Sequence, residues 1–508
     1  MTDLCLIRPA GLVRVGSISS SGCPPIGPAY VAASVRAAGY SVRVIDAIGE
    51  GIESYRRVPG TRYIQHGLSD AEILARIPAS VRIIGFSCMF SHEWPEVRGL
   101  IRRVAASLPR AVLIAGGEHL TAVPEFSLLQ CPELTACVLG EGDGTAVRLV
   151  EAIANGTSLD GVPGIVFRRG DEIRNTGPAQ RLRDVDDLPE PAWDLIPLEE
   201  YLSRELGFGV NRGRSLPVLA TRGCPYRCTF CSSPVMWTTR YVTRDPMLLI
   251  DEMRRFQDRY RIRNFDFYDL TAVVKRDWIV RFCQVLIEQK LDVTWQLPSG
   301  TRVEAIDEEV SSLMFASGCR NLTYAPESGS PEVLHRIKKK VKLDRMAASM
   351  HAALANGLNI KANLILGFPG ETRRNVLETM RFMIRMALIG VHDVTVSSFA
   401  PYPGSELYEE LRANGRIAEL SDTFFHDMMS YGDITRSVSW SEHFGGAKLA
   451  LYRIVATLAF YLISFAGRPV RIFRLVRNII RGRSESKLEW GLLALGRRVR
   501  GAAHSRAA

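Results

Sequence analysis

Three cysteines within eight residues constrain this 508-residue chain more than any other feature. Cys224, Cys228 and Cys231 have the spacing C-x3-C-x2-C and follow the short apolar run 218–220. Closed zinc and iron–sulfur sites usually take four protein ligands, whereas three thiolates leave one metal position open for a substrate. The spacing therefore predicts an open cluster site. A zinc site completed by a distant residue, or loop thiols unrelated to any metal, is the alternative that the motif alone leaves open.

The composition is that of an ordinary folded protein. Hydrophobic residues make up 46% and charged residues 23% of the chain, and the length suits two or three domains. The cysteines outside the triad show no regular disulfide framework, and the first residues lack the long apolar run of a secretory signal. We therefore expect a reducing compartment, the cytoplasm.

The first 150 residues alternate strand-like and helix-like patterns, which predicts a doubly wound, Rossmann-like α/β domain with a parallel sheet. The predicted strands are 4–7, 41–46, 82–86, 111–115 and 136–139. In such sheets ligands bind beyond the carboxyl ends of the strands. Small or polar residues follow three of these strands, at Ser87, Gly116, Gly117, Gly140 and Glu141. Glycines there allow close backbone approach to a large ligand, although ordinary strand-to-helix turns have the same spacing.

Residues 151–205 form a predicted connector with a small hairpin, 164–167 and 173–176. From 206 to 435 strands and helices alternate again, which predicts a partial (β/α)6 barrel. Barrel active sites form at the carboxyl ends of the strands, and the cysteine loop follows the first of them. The six predicted strands are 218–221, 264–268, 294–297, 321–324, 360–366 and 393–399.

Two groups of residues resemble one known family. The cysteine spacing together with Phe230 is similar to the signature of the radical SAM superfamily. The segments 23–30, 38–40, 44–47, 115–117 and 140–142 resemble the N-terminal cobalamin-binding domain of cobalamin-dependent radical SAM enzymes. The resemblance covers most of residues 1–435. It implies a [4Fe-4S] cluster on the three cysteines, S-adenosylmethionine on the fourth iron, and cobalamin in the domain 1–150.

The resemblance also implies roles for single residues. Cobalamin is expected against the strand ends, at Ser87, Gly116, Gly117, Gly140 and Glu141. Phe230 is expected to contact a cofactor. The D-x-H-x-x-G motif, whose histidine ligates cobalt in many other cobalamin proteins, is absent from the chain. His92 and His119 are expected to be partly exposed loop residues without a metal role.

Two further segments are similar to S-adenosylmethionine-binding segments of related enzymes. Glu327 and Ser328 resemble the part that lies near the ribose or methionine group, and Gly367 the part that packs against adenine. A carboxylate that caps the next helix is the alternative for Glu327. Asp269 is a weaker candidate for a polar contact in the cavity.

The family resemblance implies radical chemistry. The reduced cluster would split S-adenosylmethionine, the resulting radical would take hydrogen from an unactivated carbon of a small, hydrophobic, lipid-like or tetrapyrrole-like substrate, and methylcobalamin would supply methyl. An oxidative cyclase without methyl transfer, similar to the anaerobic magnesium-protoporphyrin ester cyclase, is the first alternative. A non-catalytic corrin or redox sensor is the second. An electron donor such as flavodoxin or ferredoxin is expected as a partner. Nucleic acid is not, because a tRNA methylthiotransferase needs a second cysteine triad that Cys5, Cys23 and Cys88 are too scattered to supply.

The region 436–508 differs in charge from the rest. Residues 468–508 contain eleven Lys and Arg against Glu485 and Glu489, and so carry +9 of the net charge of +10. The apolar run 454–465, at 12 residues, is too short for a membrane span. Residues 468–481 predict a basic amphipathic helix with arginines on one side. Such a helix either lies peripherally on an anionic inner membrane face or packs its apolar stripe on the barrel with its arginines solvated.

Overall fold

The computed structural model describes residues 2–14, 22–302, 305–434, 436–482 and 484–493. The chain forms two compact units. Unit 1 comprises residues 1–203, 222–242 and 401–429, and unit 2 comprises residues 204–221, 243–400 and 430–508. The cysteine triad therefore belongs to the same unit as the N-terminal region. The last residues of the predicted basic tail, 494–508, and Arg483 lie outside the described part of the chain.

Within the described part of the first 203 residues there are ten strands and eight α-helices. The strands are β1 (Leu4–Arg8), β2 (Gly11–Arg14), β3 (Val42–Asp46), β4 (Tyr55–Arg57), β5 (Tyr63–His66), β6 (Ile83–Ser87), β7 (Val112–Gly116), β8 (Ala136–Val138), β9 (Ile165–Arg169) and β10 (Glu172–Asn175). The helices are α1 (Ile26–Ala37), α2 (Ala47–Glu50), α3 (Asp70–Leu74), α4 (Trp94–Ser107), α5 (Glu118–Ala122), α6 (Pro124–Gln130), α7 (Gly142–Asn155) and α8 (Leu198–Ser203).

The remaining residues continue with alternating elements. The strands are β11 (Ser215–Val218), β12 (Thr221–Arg222), β13 (Val242–Thr243), β14 (Asn264–Phe267), β15 (Thr294–Thr301), β16 (Cys319–Glu327), β17 (Asn359–Leu366) and β18 (Asp393–Ser398). The helices are α9 (Ser233–Trp237), α10 (Pro246–Tyr260), α11 (Arg276–Glu288), α12 (Glu308–Ala316), α13 (Pro331–Arg336), α14 (Leu343–Ala355), α15 (Arg373–Ile389), α16 (Glu406–Ala413), α17 (Asp422–Met428), α18 (Gly446–Gly467) and α19 (Val470–Ile480).

Unit 1 contains a seven-stranded sheet in the order β10-β9-β8-β7-β6-β1-β3. Five adjacent strands, β8-β7-β6-β1-β3, are parallel. They are short, largely buried apolar runs with helices between them, as parallel strands usually are. Helices α1 and α7 cover one face, where Val35, Leu149 and Val150 pack against Ile83 and Ile114. From β1 the chain adds β3 on one side and then β6 on the other, so the strand order reverses between β1 and β6. In this fold ligands bind beyond the carboxyl ends of the strands at such a point.

The hairpin of the connector belongs to this sheet. Strands β9 and β10 pair with each other in antiparallel fashion, and β9 pairs antiparallel with β8. A separate three-stranded antiparallel sheet, β2-β5-β4, was not expected from the sequence. The doubly wound fold predicted for the N-terminal region is confirmed, with the hairpin as its antiparallel edge.

Unit 2 contains six parallel strands in the order β11-β14-β15-β16-β17-β18. Strand order equal to chain order, with helices between the strands, is the arrangement of a partial (β/α)6 barrel. Its core includes Phe267, Phe282 and Trp295, whose rings contact one another with centroids 5.3–5.6 Å apart. The predicted barrel is therefore confirmed.

The C-terminal helices differ from the prediction in two respects. The apolar run lies in the 22-residue helix α18, which is long and apolar enough to cross a membrane by length and composition. The prediction that this apolar segment is too short for a membrane span, at 12 residues, was wrong. A helix ends where its caps and its packing end it, and not at the first charged residue of the sequence. In α19 the apolar side chains Val470, Phe473 and Ile480 are exposed. The alternative in which the apolar stripe of this helix packs on the barrel is therefore also wrong.

Candidate functional site

The three cysteines lie in a partly exposed loop of unit 1. The side chains of Cys224, Cys228 and Cys231 form no disulfide and are all accessible in part, whereas six of the other seven cysteines are buried. The backbone N–H of Cys231 donates to the carbonyl of Cys228 at 3.1 Å, which gives the loop a tight turn. Gly223, directly before Cys224, has a φ of +86°, and a Cβ there would lie 2.0 Å from the Arg240 carbonyl oxygen, so glycine is required where the loop begins.

The donor set of this loop suits an iron-sulfur cluster. Each thiolate of a [4Fe-4S] cluster binds a different iron, so three thiolates hold three irons and leave the fourth iron open. Among the described residues, no group of three His, Cys, Asp or Glu side chains is arranged around a single metal ion.

Charged and polar side chains fasten both ends of the loop to the carboxyl edge of the unit 1 sheet. Before the loop, the guanidinium of Arg222 donates to Asp143 at 2.5 Å, in the first turn of α7. After the loop, the hydroxyl of Ser232 donates to Glu118, the first residue of α5. The hydroxyl of Thr121 also contacts the sulfur of Met236, at 3.3 Å. The loop is thus held by residues that follow β7 and β8.

Glu141 takes part in this network. Its carboxylate is buried and accepts hydrogen bonds from the backbone N–H of Leu182 at 2.8 Å, and it pairs with Arg181 at 2.8 Å and Arg222 at 3.5 Å. Burial alone would lower the pKa of Arg222, but the charges of Asp143 and Glu141 outweigh it, and the pKa is raised. Glu141 therefore joins the strand end to the loop, a role that the sequence did not indicate.

The other strand-end residues lie together at the carboxyl edge. Ser87 pairs with Gly116 in the register of β6 and β7, and both are partly exposed. Gly117 has a φ of +119°, and a Cβ there would lie 2.4 Å from the Cys88 carbonyl oxygen. Gly140 follows β8, and its backbone N–H donates to Thr121 at 3.0 Å. The sheet therefore brings the predicted residues to one edge, and an internal close approach already requires glycine at position 117.

Two residues at this edge were missed. Met89 and Phe90 follow β6 and expose 41% and 50% of their area, which is unusual for large apolar side chains beside a sheet edge. A flat, largely apolar ligand such as a corrin ring would cover such side chains. The signal in the sequence was two large apolar residues directly after a predicted strand end.

The expected partial exposure of His92 and His119 is wrong, since both are buried. His119 stacks on Trp94, and its two ring nitrogens lie 3.0 Å from Ser91 and 3.3 Å from Ser127. Burial lowers the pKa of His119 to about 3 and that of His92 to about 4. Both rings are therefore neutral packing groups at ordinary pH. Helix α4 and its preceding turn enclose residues that the sequence pattern placed in an open loop.

In unit 2, the predicted cofactor residues follow strands β16 and β17. Glu327 is buried, has a positive φ of 63° that few residues other than glycine adopt, and pairs with Lys339 at 2.8 Å. Ser330, not Glu327, precedes helix α13, so the capping alternative for Glu327 is not what the structure has. The hydroxyl of Ser328 lies 3.0 Å from that of Thr379 on α15. A strained, buried carboxylate at a barrel strand end is typical of a ligand site.

Two further buried carboxylates, Glu371 and Asp269, hold backbone at the ends of barrel strands. Glu371 accepts hydrogen bonds from the backbone N–H groups of Gly367 at 2.5 Å and Phe368 at 3.3 Å, and its other oxygen has no partner among the described residues. Burial raises the pKa of Glu371 to about 7. The sequence pattern did not indicate a role for Glu371, although it stands in the same segment as Gly367.

Asp269 has a comparable position after β14. It accepts from the backbone N–H and hydroxyl of Thr221, at 2.5 and 2.6 Å, and from Ala220 at 3.1 Å. Burial raises its pKa to about 6. The residue expected to contact a ligand therefore anchors the end of the first barrel segment, directly before the cysteine loop in the chain.

Comparisons with known proteins agree with the fold and the site. Residues 218–383 match the radical SAM superfamily, and residues 15–150 match the B12-binding domain. An uncharacterized methyltransferase of Pyrococcus horikoshii is 28% identical over 82% of this chain and 85% of its own length. The cytidylyl-2-hydroxyethylphosphonate methyltransferase of Streptomyces wedmorensis is also 28% identical, over 77% of this chain and 78% of its own. The structure of the radical S-adenosylmethionine methyltransferase TsrM from Kitasatospora setae superposes with a TM-score of 0.61 at 17% identity, over 82% of this chain and 75% of that one.

A six-stranded barrel segment with an open cysteine triad defines a radical SAM enzyme. Because the chain also has a B12-binding domain, it belongs to the cobalamin-dependent radical SAM family, and the two relatives named above are methyltransferases. A radical SAM domain uses a [4Fe-4S] cluster and S-adenosylmethionine, and the B12-binding domain implies cobalamin. The accessible thiols and the glycine-lined, partly apolar sheet edge fit these groups.

Proposed function

We propose that this protein methylates an unactivated carbon of a small, hydrophobic substrate. Cys224, Cys228 and Cys231 would hold the cluster, with Phe230 beside it. When bound, the three cofactors supply the radical that removes hydrogen from carbon and the methyl group that replaces it. S-adenosylmethionine is assigned to Glu327, Ser328 and Gly367. The corrin is assigned to the carboxyl edge of the unit 1 sheet, at Ser87, Gly116, Gly117, Gly140 and Glu141.

One observation carries the proposal. The loop that bears the thiols is attached through Arg222 and Ser232 to Asp143 and Glu118, which begin the helices after β8 and β7. Hydrogen removal and methyl delivery must occur at the same carbon, so the groups that perform them must be held in a fixed relation. Fastening the cysteine loop to the sheet edge assigned to the corrin supports such coupling within unit 1.

The protein's own contribution is positioning, since the cofactors carry the chemistry. The buried pair of Arg222 and Asp143 fixes the start of the cysteine loop. Glu371 fixes the backbone of Gly367 and Phe368 by accepting their N–H groups. An electron donor such as flavodoxin or ferredoxin would reduce the cluster.

The test uses S-adenosylmethionine with a deuterated methyl group. Anaerobically reconstituted, cobalamin-loaded protein is incubated with a reductant and with fractionated lipid and tetrapyrrole extracts from a strain that lacks the gene. A product that carries the labelled methyl group supports the proposal. A product without added methylene indicates the oxidative cyclase alternative. Failure to form 5'-deoxyadenosine under reducing conditions with any extract indicates a sensor and contradicts catalysis.

A further inference from the structure

Helix α18 presents two opposite faces. Leu449, Arg453, Ala456, Phe460 and Ser464 are buried, and they recur at helical spacing on one side. On the other side, Leu451, Val455, Leu458 and Leu462 expose 57%, 46%, 58% and 69% of their area. Large apolar side chains exposed in a continuous stripe are rare on the surface of a soluble protein. We call these four residues the α18 stripe.

Helix α19 repeats the pattern. Ile472, Phe473, Val476 and Ile480 are exposed, with Phe473 at 75% and Ile480 at 79%. Together with the side chains of Arg477 and Arg481 they line a shallow, mostly apolar groove. We call this group the α19 groove. The two helices thus expose apolar side chains over nearly their whole length.

The arginines of this region divide into two sets. Arg468 donates to the carbonyls of Leu388 and Ile389 at 2.7 and 2.6 Å, and Arg471 donates to those of Val391 and His392 at 3.0 and 2.7 Å. Arg468 therefore binds the last carbonyls of α15, where unpaired carbonyls attract cations. Arg471 binds carbonyls of the segment that follows the helix. Arg474 pairs with Glu485. Within the described part of the chain, the side chains of Arg477 and Arg481 have no partner.

Helix α18 does not cross a bilayer in this fold, although its length and composition would allow it. The guanidinium of Arg453, in the middle of the helix, is buried. It donates to the carbonyls of Val396, Tyr431 and Asp433 at 2.9, 2.8 and 2.5 Å. Breaking these bonds would leave a charge and several carbonyls unpaired, which is costly. One face of the helix therefore packs against the barrel, and only the α18 stripe can contact another surface.

From these observations we infer that the α18 stripe and the α19 groove form a monotopic docking surface for an anionic lipid bilayer. The chain has no Asp or Glu between Glu442 and Glu485 but carries Arg477 and Arg481 beside the groove. An apolar groove whose charged lining residues are both arginines matches acyl chains below anionic headgroups. A protein partner or a second copy would instead be expected to meet a mixed polar rim. The inference does not depend on the proposed function.

The test measures flotation of the full-length protein with phosphatidylcholine vesicles, with and without phosphatidylglycerol. We expect binding to the anionic vesicles at low salt and weaker binding at high salt. Leu458→Gln/Leu462→Gln and Phe473→Gln/Ile480→Gln each remove apolar area and should weaken partitioning roughly tenfold. Arg477→Gln/Arg481→Gln should weaken it by roughly tenfold to thirtyfold, on anionic vesicles only.

Matched controls separate docking from folding. Leu129 and Leu248 are exposed to 68% and 50% but lie on other helices, so Leu129→Gln/Leu248→Gln should float like the unchanged protein. Arg110→Gln/Arg345→Gln removes two exposed arginines elsewhere and should also have no effect. Equal flotation of the stripe variants and the unchanged protein would overturn the inference. So would equal binding to neutral and anionic vesicles, or a dimer in light scattering that the stripe variants abolish while no vesicle binds.

Discussion

The guanidinium of Arg222, two residues before the first cysteine of the triad, lies 2.5 Å from the carboxylate of Asp143, and both side chains are only 5% exposed. Arg222 also lies over the rings of Tyr30 and Trp237, at 5.2 and 5.8 Å. A buried charge pair of this kind is strongly destabilised when one partner is lost, because the other charge remains unpaired. The pair therefore controls both the stability of unit 1 and the position of the cysteine loop.

The first prediction follows from this pair. Arg222→Gln and Asp143→Asn should each lower the free energy of unfolding by about 3–5 kcal/mol, and the double variant should lose less than the sum. Both single variants should also retain less iron after anaerobic reconstitution. The exposed pair Arg36 and Asp194 serves as the control, because breaking it should cost about 1 kcal/mol or less. Additive effects at positions 222 and 143, with full iron content, would contradict the role of the pair.

The second prediction concerns the two glycines after β7. Gly117→Ala should destabilise unit 1 itself, because its Cβ would meet the Cys88 carbonyl. A Cβ at Gly116 would lie 3.4 Å from Val138, which is an ordinary contact, so Gly116→Val should fold. It should nevertheless bind several-fold less cobalamin, because the new side chain would stand at the partly exposed sheet edge. The absorbance of bound cobalamin and the iron content measure the two effects separately.

Gly161→Val is the control for this experiment, since position 161 is exposed and has open space around it. It should leave cobalamin binding unchanged. Normal cobalamin content in folded Gly116→Val would place the corrin elsewhere.

The parallel strands of both sheets were largely predictable, because such strands are short apolar runs between helices. Strand β3 was expected at 41–46 and is Val42–Asp46, and β17 was expected at 360–366 and is Asn359–Leu366. The pairing of β9 with β8 was not predictable, since nothing local in the hairpin specifies its partner. The same holds for Arg222 and Asp143, which are distant in the chain and form a pair only through the fold.

The C-terminal helices show a different limit. The amphipathic pattern of α19 was correct, but a helical wheel does not say which face is covered. The covered face was decided by carbonyls at the end of α15 and in the segment after it, which bind Arg468 and Arg471 and leave Phe473 exposed. Tertiary contacts of this kind are absent from a single sequence.

The third prediction tests the cysteine triad. Alanine at Cys224, Cys228 or Cys231 removes a thiolate that no other side chain replaces, so each variant should lose cluster iron and form 5'-deoxyadenosine only at background level. Cys283→Ala changes a buried thiol of α11 and should keep both properties. Formation of 5'-deoxyadenosine at the unchanged rate by any of the three variants would exclude the triad as the cluster site.

The fourth prediction is a pH dependence that originates at Glu371. Burial raises the pKa of its carboxyl from 4.5 to about 7, so between these values the folded state binds more protons than the unfolded state. The free energy of unfolding should therefore fall as the pH rises from about 4.5 to 7, by on the order of 2–3 kcal/mol from this group. Glu371→Gln stays neutral and can still accept a hydrogen bond from the N–H of Gly367. Urea unfolding at a series of pH values should therefore show a shallower decline of the free energy of unfolding with pH in this variant.

The exposed control Glu419→Gln should keep the pH slope of the unchanged protein. An unchanged slope in Glu371→Gln would mean that the carboxylate is ionised throughout, and that the loop at Gly367 is held by a charge rather than by a neutral acid.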